Sequence, residues 1–143
     1  MNMRQGLSNK MPIVKIYCDG FCLESEGSGT GGWAAILNYK HYEKKIRGCE
    51  RNTTKNRMDL KAVIAGLSTL KKPCNVIVYI TSPDIAKSMF GNTNNDLWNE
   101  LSLLSKIHEV KFELVIHQPD DHETIKIAEQ EARLLKEEKD ELF

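Results

Sequence analysis

The hydrophobic pattern of this chain changes its period near Thr54, and that change limits the folds that the chain can adopt. Before it, apolar and β-branched residues predict three strands, at 13–18, 33–39 and 42–47, with a turn-rich loop at 24–32. After it, helical and strand-like segments alternate. This order predicts an α/β fold in which a five-stranded mixed sheet, three antiparallel strands and then two parallel ones, is flanked by helices.

The segment at 54–70 has the period of a helix that is buried on one side. Asp59 shares a stripe with Ala62, Val63 and other small or apolar residues. A carboxylate on such a stripe needs a partner, because charged groups are rarely buried alone. The remaining predicted elements are a strand at 76–80, helices at 83–90 and 96–107, a strand at 110–116 and a last helix from 123.

The length of 143 residues fits one domain with a hydrophobic core. We expect a flexible arm at 1–11, where the sequence is polar and without pattern, and a single domain at 12–143. Twenty basic and twenty acidic residues cancel. Since affinity for nucleic acid comes mainly from neutralising phosphates, a nucleic-acid partner would need a local basic patch.

The sequence gives no sign of export, of a zinc knuckle or of a membrane partner. The four cysteines form no CxxC pair, and no His residues lie at zinc-ligand spacing. A signal peptide and a run of about 18 apolar residues are both missing. We therefore expect a cytoplasmic protein with reduced thiols.

Asp19 follows the first predicted strand directly and precedes Gly20. Ligands of open α/β sheets collect at the carboxyl ends of strands, so this carboxylate is a candidate site residue. An Asp-Gly pair is also typical of a plain turn, and Asp59 would equally suit the first turn of a helix. Together the two carboxylates could hold a divalent cation, since hard cations prefer carboxylate oxygens.

Five short segments, spread over roughly residues 12–135, carry a resemblance to one enzyme family. Y-C-D-G-F-C-L resembles that family's first strand and turn, T-D-G-S-C-L, and G-G-W-A-A-I-L resembles its second strand. N-T-T-K-N-R-M-D-L resembles T-T-N-N-R-M-E-L, the most specific of the matches. V-I-V-Y-I-T-S resembles the fourth strand, which ends T-D-S, and I-A-E-Q-E-A resembles the helix A-D-x-L-A. The family is type-1 ribonuclease H, which cuts the RNA strand of RNA–DNA hybrids, and the resemblance implies a ribonuclease-H-like fold.

The resemblance also implies a site in which four carboxylates hold two magnesium ions about 4 Å apart. Carried over, the first Asp is Asp19, the helix Glu is Asp59, and the final Asp is Glu129. The strand-end Asp is Thr81, which has no carboxylate. Magnesium demands near-octahedral geometry, and a misplacement of about 1 Å can cost roughly 100-fold in rate. We therefore expect Mg²⁺ or Mn²⁺ to bind weakly to the three remaining carboxylates, and cleavage to be very weak or absent.

Other residues near this predicted site have plainer interpretations. Glu129 lies in a helix with many Glu residues, most of them expected to be solvated. Asp84 could replace the missing carboxylate, but it also suits the first turn of a helix. His117 and His122 bracket the family's mobile His position and neither aligns cleanly, so we interpret them as loop residues ahead of a general acid–base role.

The substrate-contact positions of the family are partly retained. Asn56 and Arg57 are present, Asn56 at a position that contacts the minor groove of the hybrid, and Thr54 matches a Thr near the DNA phosphate. The family turn G-N-P-G, which contacts RNA 2′-hydroxyls, is replaced by E-S-E-G. Recognising the 2′-hydroxyl is how such proteins tell RNA from DNA, so two added negative charges there count against hybrid selectivity.

Three hypotheses follow for the function. The first is a ribonuclease-H-like protein with a degraded two-metal site, weak or inactive as a nuclease and retained to bind nucleic acid or a protein partner. The second is a functional metal-dependent endonuclease that cuts the RNA strand of RNA–DNA hybrids. The third is a structural domain of a larger assembly. Thr81, the altered carboxylates and the zero net charge favour the first.

Overall fold

A computed structural model describes residues 11–25, 28–83, 85, 93–115 and 122–142, without the side chains of 24, 25, 28, 122 and 138–142. Strands dominate the first half of the chain, and helices and strands alternate in the second, as the change of period predicts. The elements are β1 (Ile13–Ser25), β2 (Ser28–Tyr39), β3 (Tyr42–Thr53), α1 (Lys55–Thr69), β4 (Asn75–Ile80), α2 (Asn95–Ile107), β5 (Glu109–Leu114) and α3 (His122–Leu142).

The five strands form one mixed sheet in the order β3-β2-β1-β4-β5. β1 pairs with β2, and β2 with β3, in antiparallel register. β4 pairs in parallel with β1 on one side and with β5 on the other. The predicted sheet of three antiparallel strands followed by two parallel ones is therefore confirmed.

Helix α1 begins where the sequence pattern predicts. Thr54 is the N-cap in extended conformation, and its side-chain oxygen accepts a hydrogen bond from the Arg57 backbone N–H. The predicted stripe is buried against the sheet, where Leu60, Val63 and Leu67 belong to the hydrophobic core. The packing of α1 therefore places the carboxylate of Asp59 against the sheet.

The glycine-rich segment predicted as a loop at 24–32 instead belongs largely to a long β-hairpin, so that prediction was wrong. β1 continues to Ser25 and β2 begins at Ser28. The glycines of β2 are there because other elements lie against the strand. A Cβ at Gly31 would come within 2.6 Å of Met58 Cγ, and one at Gly32 would overlap the Ala128 carbonyl oxygen. The third strand also extends beyond its predicted end, to Thr53.

Several predictions lie outside the described residues. They are the arm at 1–11 except for its last residue, the tip of the acidic turn at 24–27, and the helix at 83–90 apart from Pro83 and Ile85. None of the helices in the described part of the chain is long and apolar enough to cross a membrane.

Candidate active site

Asp19 lies inside β1, beside the carboxyl end of β4. The expectation that it follows the end of its own strand was wrong, because β1 continues through Gly20. The parallel pairing of β1 with β4 ends at Cys18 and Ile80, so Asp19 is the first residue of β1 beyond β4. Its side chain is buried. The site is thus placed where parallel strand pairing stops, which is where ligands of such sheets collect.

Thr81 is the residue that β4 delivers to this position. Its hydroxyl Oγ1 donates a hydrogen bond of 2.6 Å to Oδ1 of Asp19. A hydrogen bond from a neutral donor stabilises the ionised carboxylate without bringing a second negative charge. Thr81 therefore holds the Asp19 side chain in place. The site is also less negative than it would be with a carboxylate at position 81.

Asp59 is brought to Asp19 by direct contact between α1 and β1. A Cβ at Gly20 would come within 2.6 Å of the Met58 carbonyl carbon, so only a glycine permits this approach. The Gly20 backbone N–H donates a 2.7 Å hydrogen bond to Asp59 Oδ1. Lys55 Nζ donates a 2.8 Å hydrogen bond to the other oxygen, Oδ2, one helical turn away. The side chain of Asp59 is only 3% exposed, so both bonds offset a real desolvation cost.

The thiol of Cys18 responds to both carboxylates. Burial raises its pKa well above the ordinary value, and the negative charges of Asp19 and Asp59 raise it further. A thiol with a raised pKa stays protonated at neutral pH and is a poor nucleophile and a poor metal ligand. The chemistry at this position is therefore that of the two carboxylates.

Glu129 lies on α3, next to Ala128, which is buried where the helix contacts β2. Its Oε1 accepts hydrogen bonds of 3.0 and 2.8 Å from Nε and Nη2 of Arg133. In the described part of the chain, no three His, Cys, Asp or Glu side chains are grouped so that they could hold a metal ion. Metal binding by Glu129 together with Asp19 and Asp59 stays a prediction.

The predicted substrate-contact residues are next to Asp59 at the start of α1, and two of them have structural roles. Thr54 caps the helix. Arg57 makes a bidentate pair with Asp96, at 3.0 and 2.8 Å, and a 3.2 Å bond to Asn94. This guanidinium lowers the pKa of Asp96 to about 2. Asn56 is half-buried. Nucleic-acid contact by these residues stays a prediction.

The remaining predicted candidates are not described. Asp84 and His117 lie outside the described residues, and of His122 only the backbone, at the start of α3, is described.

Two residues of the site were missed by the sequence reasoning. Lys55 lies four residues before Asp59, a spacing that places both on one helix face and is the signal that could have found it. Thr124 is buried and lines a small hollow together with Asp19, Thr81 and Tyr79. Its approach depends on where α3 packs, which no local pattern reveals.

Sheet order, helix placement and the paired carboxylates together define a ribonuclease-H-like protein. The RNase H family model matches residues 11–132. The chain belongs to the RNase H family.

Relatives with this name are similar over most of their length. The chain is 45% identical over 123 residues to a Ribonuclease H of Caldicellulosiruptor saccharolyticus, covering 73% of this chain and 83% of that protein. It is 41% identical over 113 residues to a Ribonuclease HI of Campylobacter jejuni, covering 71% of this chain and 76% of that protein.

Solved structures share the fold at lower identity. One is a type 1 RNase H with the type 2 active-site motif, at a TM-score of 0.73 and 22% identity, covering 85% of this chain and 72% of that one. Another is LC11-RNase H1 in complex with RNA/DNA hybrid, at a TM-score of 0.66 and 15% identity, covering 85% of this chain and 98% of that one.

Proposed function

We propose that this chain binds RNA–DNA hybrids and cleaves their RNA strand in a reaction that depends on a divalent cation. The observation that carries the proposal is the buried pair of Asp19 and Asp59, joined through the Gly20 N–H at the end of the parallel strand pairing. Relatives named Ribonuclease H support it, as does the fold shared with a protein solved in complex with RNA/DNA hybrid. This function is the second of the three hypotheses, and the family membership is the reason for preferring it.

The donor set fits a hard cation. Magnesium is usually bound through one or two carboxylates together with substrate phosphates, while it keeps several of its waters. Asp19 and Asp59 are two such carboxylates, and Glu129 is a third candidate on α3. A bound Mg²⁺ or Mn²⁺ would polarise the phosphoryl group and lower the pKa of a bound water.

The chain's own residues orient these carboxylates. Thr81 fixes Oδ1 of Asp19, while the Gly20 N–H and Lys55 fix the two oxygens of Asp59. Ligands that are held by further hydrogen bonds keep their orientation, and such supporting partners typically matter 10–100-fold, as an order of magnitude. Thr81 thus supports one ligand in place of supplying another, and we expect slower cleavage than with four carboxylates.

Hybrid binding would use the start of α1. Asn56 keeps the minor-groove contact that its position implies, whereas the side chain of Thr54 is engaged in capping and that of Arg57 in the pair with Asp96. Lys55 is likewise engaged, since its ammonium is bonded to Oδ2 of Asp59.

Cleavage of a hybrid with a labelled RNA strand tests this function. The native protein should cut the RNA strand with Mg²⁺ or Mn²⁺ and not with a chelator. Asp19→Asn and Asp59→Asn should each reduce the rate about 100-fold or more, since a displaced or lost ligand costs that much. Glu109→Gln is the matched control, because Glu109 is an exposed carboxylate at the start of β5, which pairs with the start of β4 and not with its carboxyl end. Cleavage by the native protein at the rate of Asp19→Asn would refute the proposal.

The second candidate function is a hybrid-binding module without hydrolysis. The observation that favours it is the hydroxyl of Thr81 at the position of a carboxylate, bonded to Asp19. This function would be established if the protein binds a hybrid without cutting it and the logarithm of the binding constant falls linearly with the logarithm of the salt concentration. Absence of hybrid binding at low salt would point to a protein partner.

A further inference from the structure

We propose that the Lys55 ammonium competes with divalent cations for Asp59 and so sets the cation affinity of the site. The inference rests on the proposed function, because it concerns how the same carboxylates would take up a metal. Lys55 contacts the Asp59 carboxylate and not the reacting atoms, so Lys55 is a positioning residue.

The geometry of the contact is that of a resident counter-ion. Lys55 Nζ lies 2.8 Å from Oδ2 of Asp59, and the Gly20 N–H occupies the other oxygen. A cation that binds through Oδ2 must displace the ammonium, because two positive charges cannot share one oxygen without strong repulsion. Binding of the metal is thus coupled to release of Lys55.

Burial distinguishes this pair from the other ion pairs near the site. Asp59 is 3% exposed, whereas Arg133 and Glu129 are 56% and 39% exposed. Exposed pairs contribute little, because water screens them. A buried carboxylate that loses its partner, in contrast, pays a large desolvation cost, so Lys55 leaves only when another positive charge replaces it.

Lys55 can nevertheless leave, because its own side chain is 48% exposed. The ammonium stays hydrated when the long aliphatic side chain moves away from Asp59 into water. Lys55 therefore lowers the affinity for a cation without abolishing it. We expect an effect of about tenfold, which is less than a fully buried charge would give.

The test is the binding of Mn²⁺ alone, followed by electron paramagnetic resonance and by the shift of the melting temperature. Lys55→Met keeps the length of the side chain and removes its charge. It should bind Mn²⁺ about tenfold more tightly than the native protein and gain more thermal stability from Mn²⁺. Lys55→Arg keeps the charge and should behave like the native protein.

Lys61→Met is the matched control. Lys61 lies on the same helix and pairs with Glu50, away from the two aspartates. This variant should bind Mn²⁺ like the native protein. If Lys55→Met folds poorly without metal, the melting temperature still decides the matter, because Mn²⁺ should raise it more in Lys55→Met than in Lys61→Met or the native protein.

Equal Mn²⁺ affinity of Lys55→Met and the native protein would overturn the inference. That outcome is separable from failure of the proposed function, since hybrid cleavage is measured on the native protein. A native protein that cuts hybrids, with Lys55→Met unchanged in Mn²⁺ binding, refutes the role of Lys55 alone. Tighter binding by Lys55→Met in a protein that never cuts hybrids supports the role of Lys55 and refutes the nuclease.

Discussion

Replacing Thr81 by aspartate tests the electrostatics of the site directly. The Thr81 hydroxyl is 2.6 Å from Asp19 Oδ1, so Thr81→Asp exchanges a hydrogen bond for two carboxylates at close range. Two like charges about 4 Å apart repel by about 4 kcal/mol at an effective dielectric constant near 20. Thr81 itself is exposed, and screening by water reduces this to about 1–2 kcal/mol. Loss of the hydrogen bond adds about 1 kcal/mol.

The free energy of unfolding of Thr81→Asp should therefore be about 2–3 kcal/mol below that of the native protein when a chelator is present. When Mg²⁺ is present, both carboxylates can bind the cation and no longer repel each other, so most of the lost free energy of unfolding should be recovered. The measurement is urea unfolding, followed by circular dichroism, with chelator and with Mg²⁺. Hybrid cleavage should rise by about 10- to 100-fold, because a further ligand restores geometry.

Thr81→Asn is the control, since it has the shape of aspartate and no charge. It should lose about 1 kcal/mol from the altered hydrogen bond and show no response to Mg²⁺ beyond that of the native protein. If Thr81→Asp and Thr81→Asn unfold at the same urea concentration with chelator and with Mg²⁺, the carboxylates do not interact. The electrostatic reasoning would then be wrong.

Three further perturbations test the supporting structure. Gly20→Ala should destabilise the protein by about 1–3 kcal/mol in urea unfolding, because its Cβ would overlap the backbone that leads into Asp59; Ser68→Ala, at an exposed position of α1, is the comparison. Thr54→Ala removes the cap of α1 and should cost about 1 kcal/mol, and Thr54→Ser should keep most of it. His108 is buried, which lowers its pKa below the usual 6.5; the unfolded chain then binds the proton more readily, so the free energy of unfolding should fall as pH drops below about 6.5. A slope between pH 6.5 and 5 that His108→Asn leaves unchanged would contradict this assignment.

The sheet could be predicted because its strands carry apolar, β-branched runs that local periodicity detects. The lengths of β1 and β2 could not, because Gly20 in β1 and Gly29 in β2 are also turn signals. In the structure each glycine is required by a distant neighbour, α1 for Gly20 and the Cys22 and Thr53 region for Gly29. A close approach between elements leaves the same mark in a sequence as a turn, and only packing separates the two.

The residues of the candidate site could likewise be predicted only in part from the sequence. Asp19 was proposed because it follows an apolar run and precedes a glycine, and Asp59 because a carboxylate on an apolar helix stripe is unusual. The engagement of Arg57 was not foreseen, since its partner Asp96 lies 39 residues away and starts a different helix. Non-local ion pairs of this kind depend on how α1 and α2 pack, and they redirect side chains that a family pattern would assign to a ligand.

Thr81 and Lys55 change the charge of the site in the same direction. Asp19 and Asp59 contribute two negative charges and Lys55 one positive charge, so these three side chains together carry a net charge of minus one. Aspartate at Thr81 would make it minus two, and loss of Lys55 as well would make it minus three. A divalent cation is attracted more strongly as this net charge becomes more negative, because the Coulomb energy is proportional to the charge. Each of the two residues should therefore lower cation affinity by itself, because Lys55 neutralises half of the charge of the two carboxylates and Thr81 adds no negative charge.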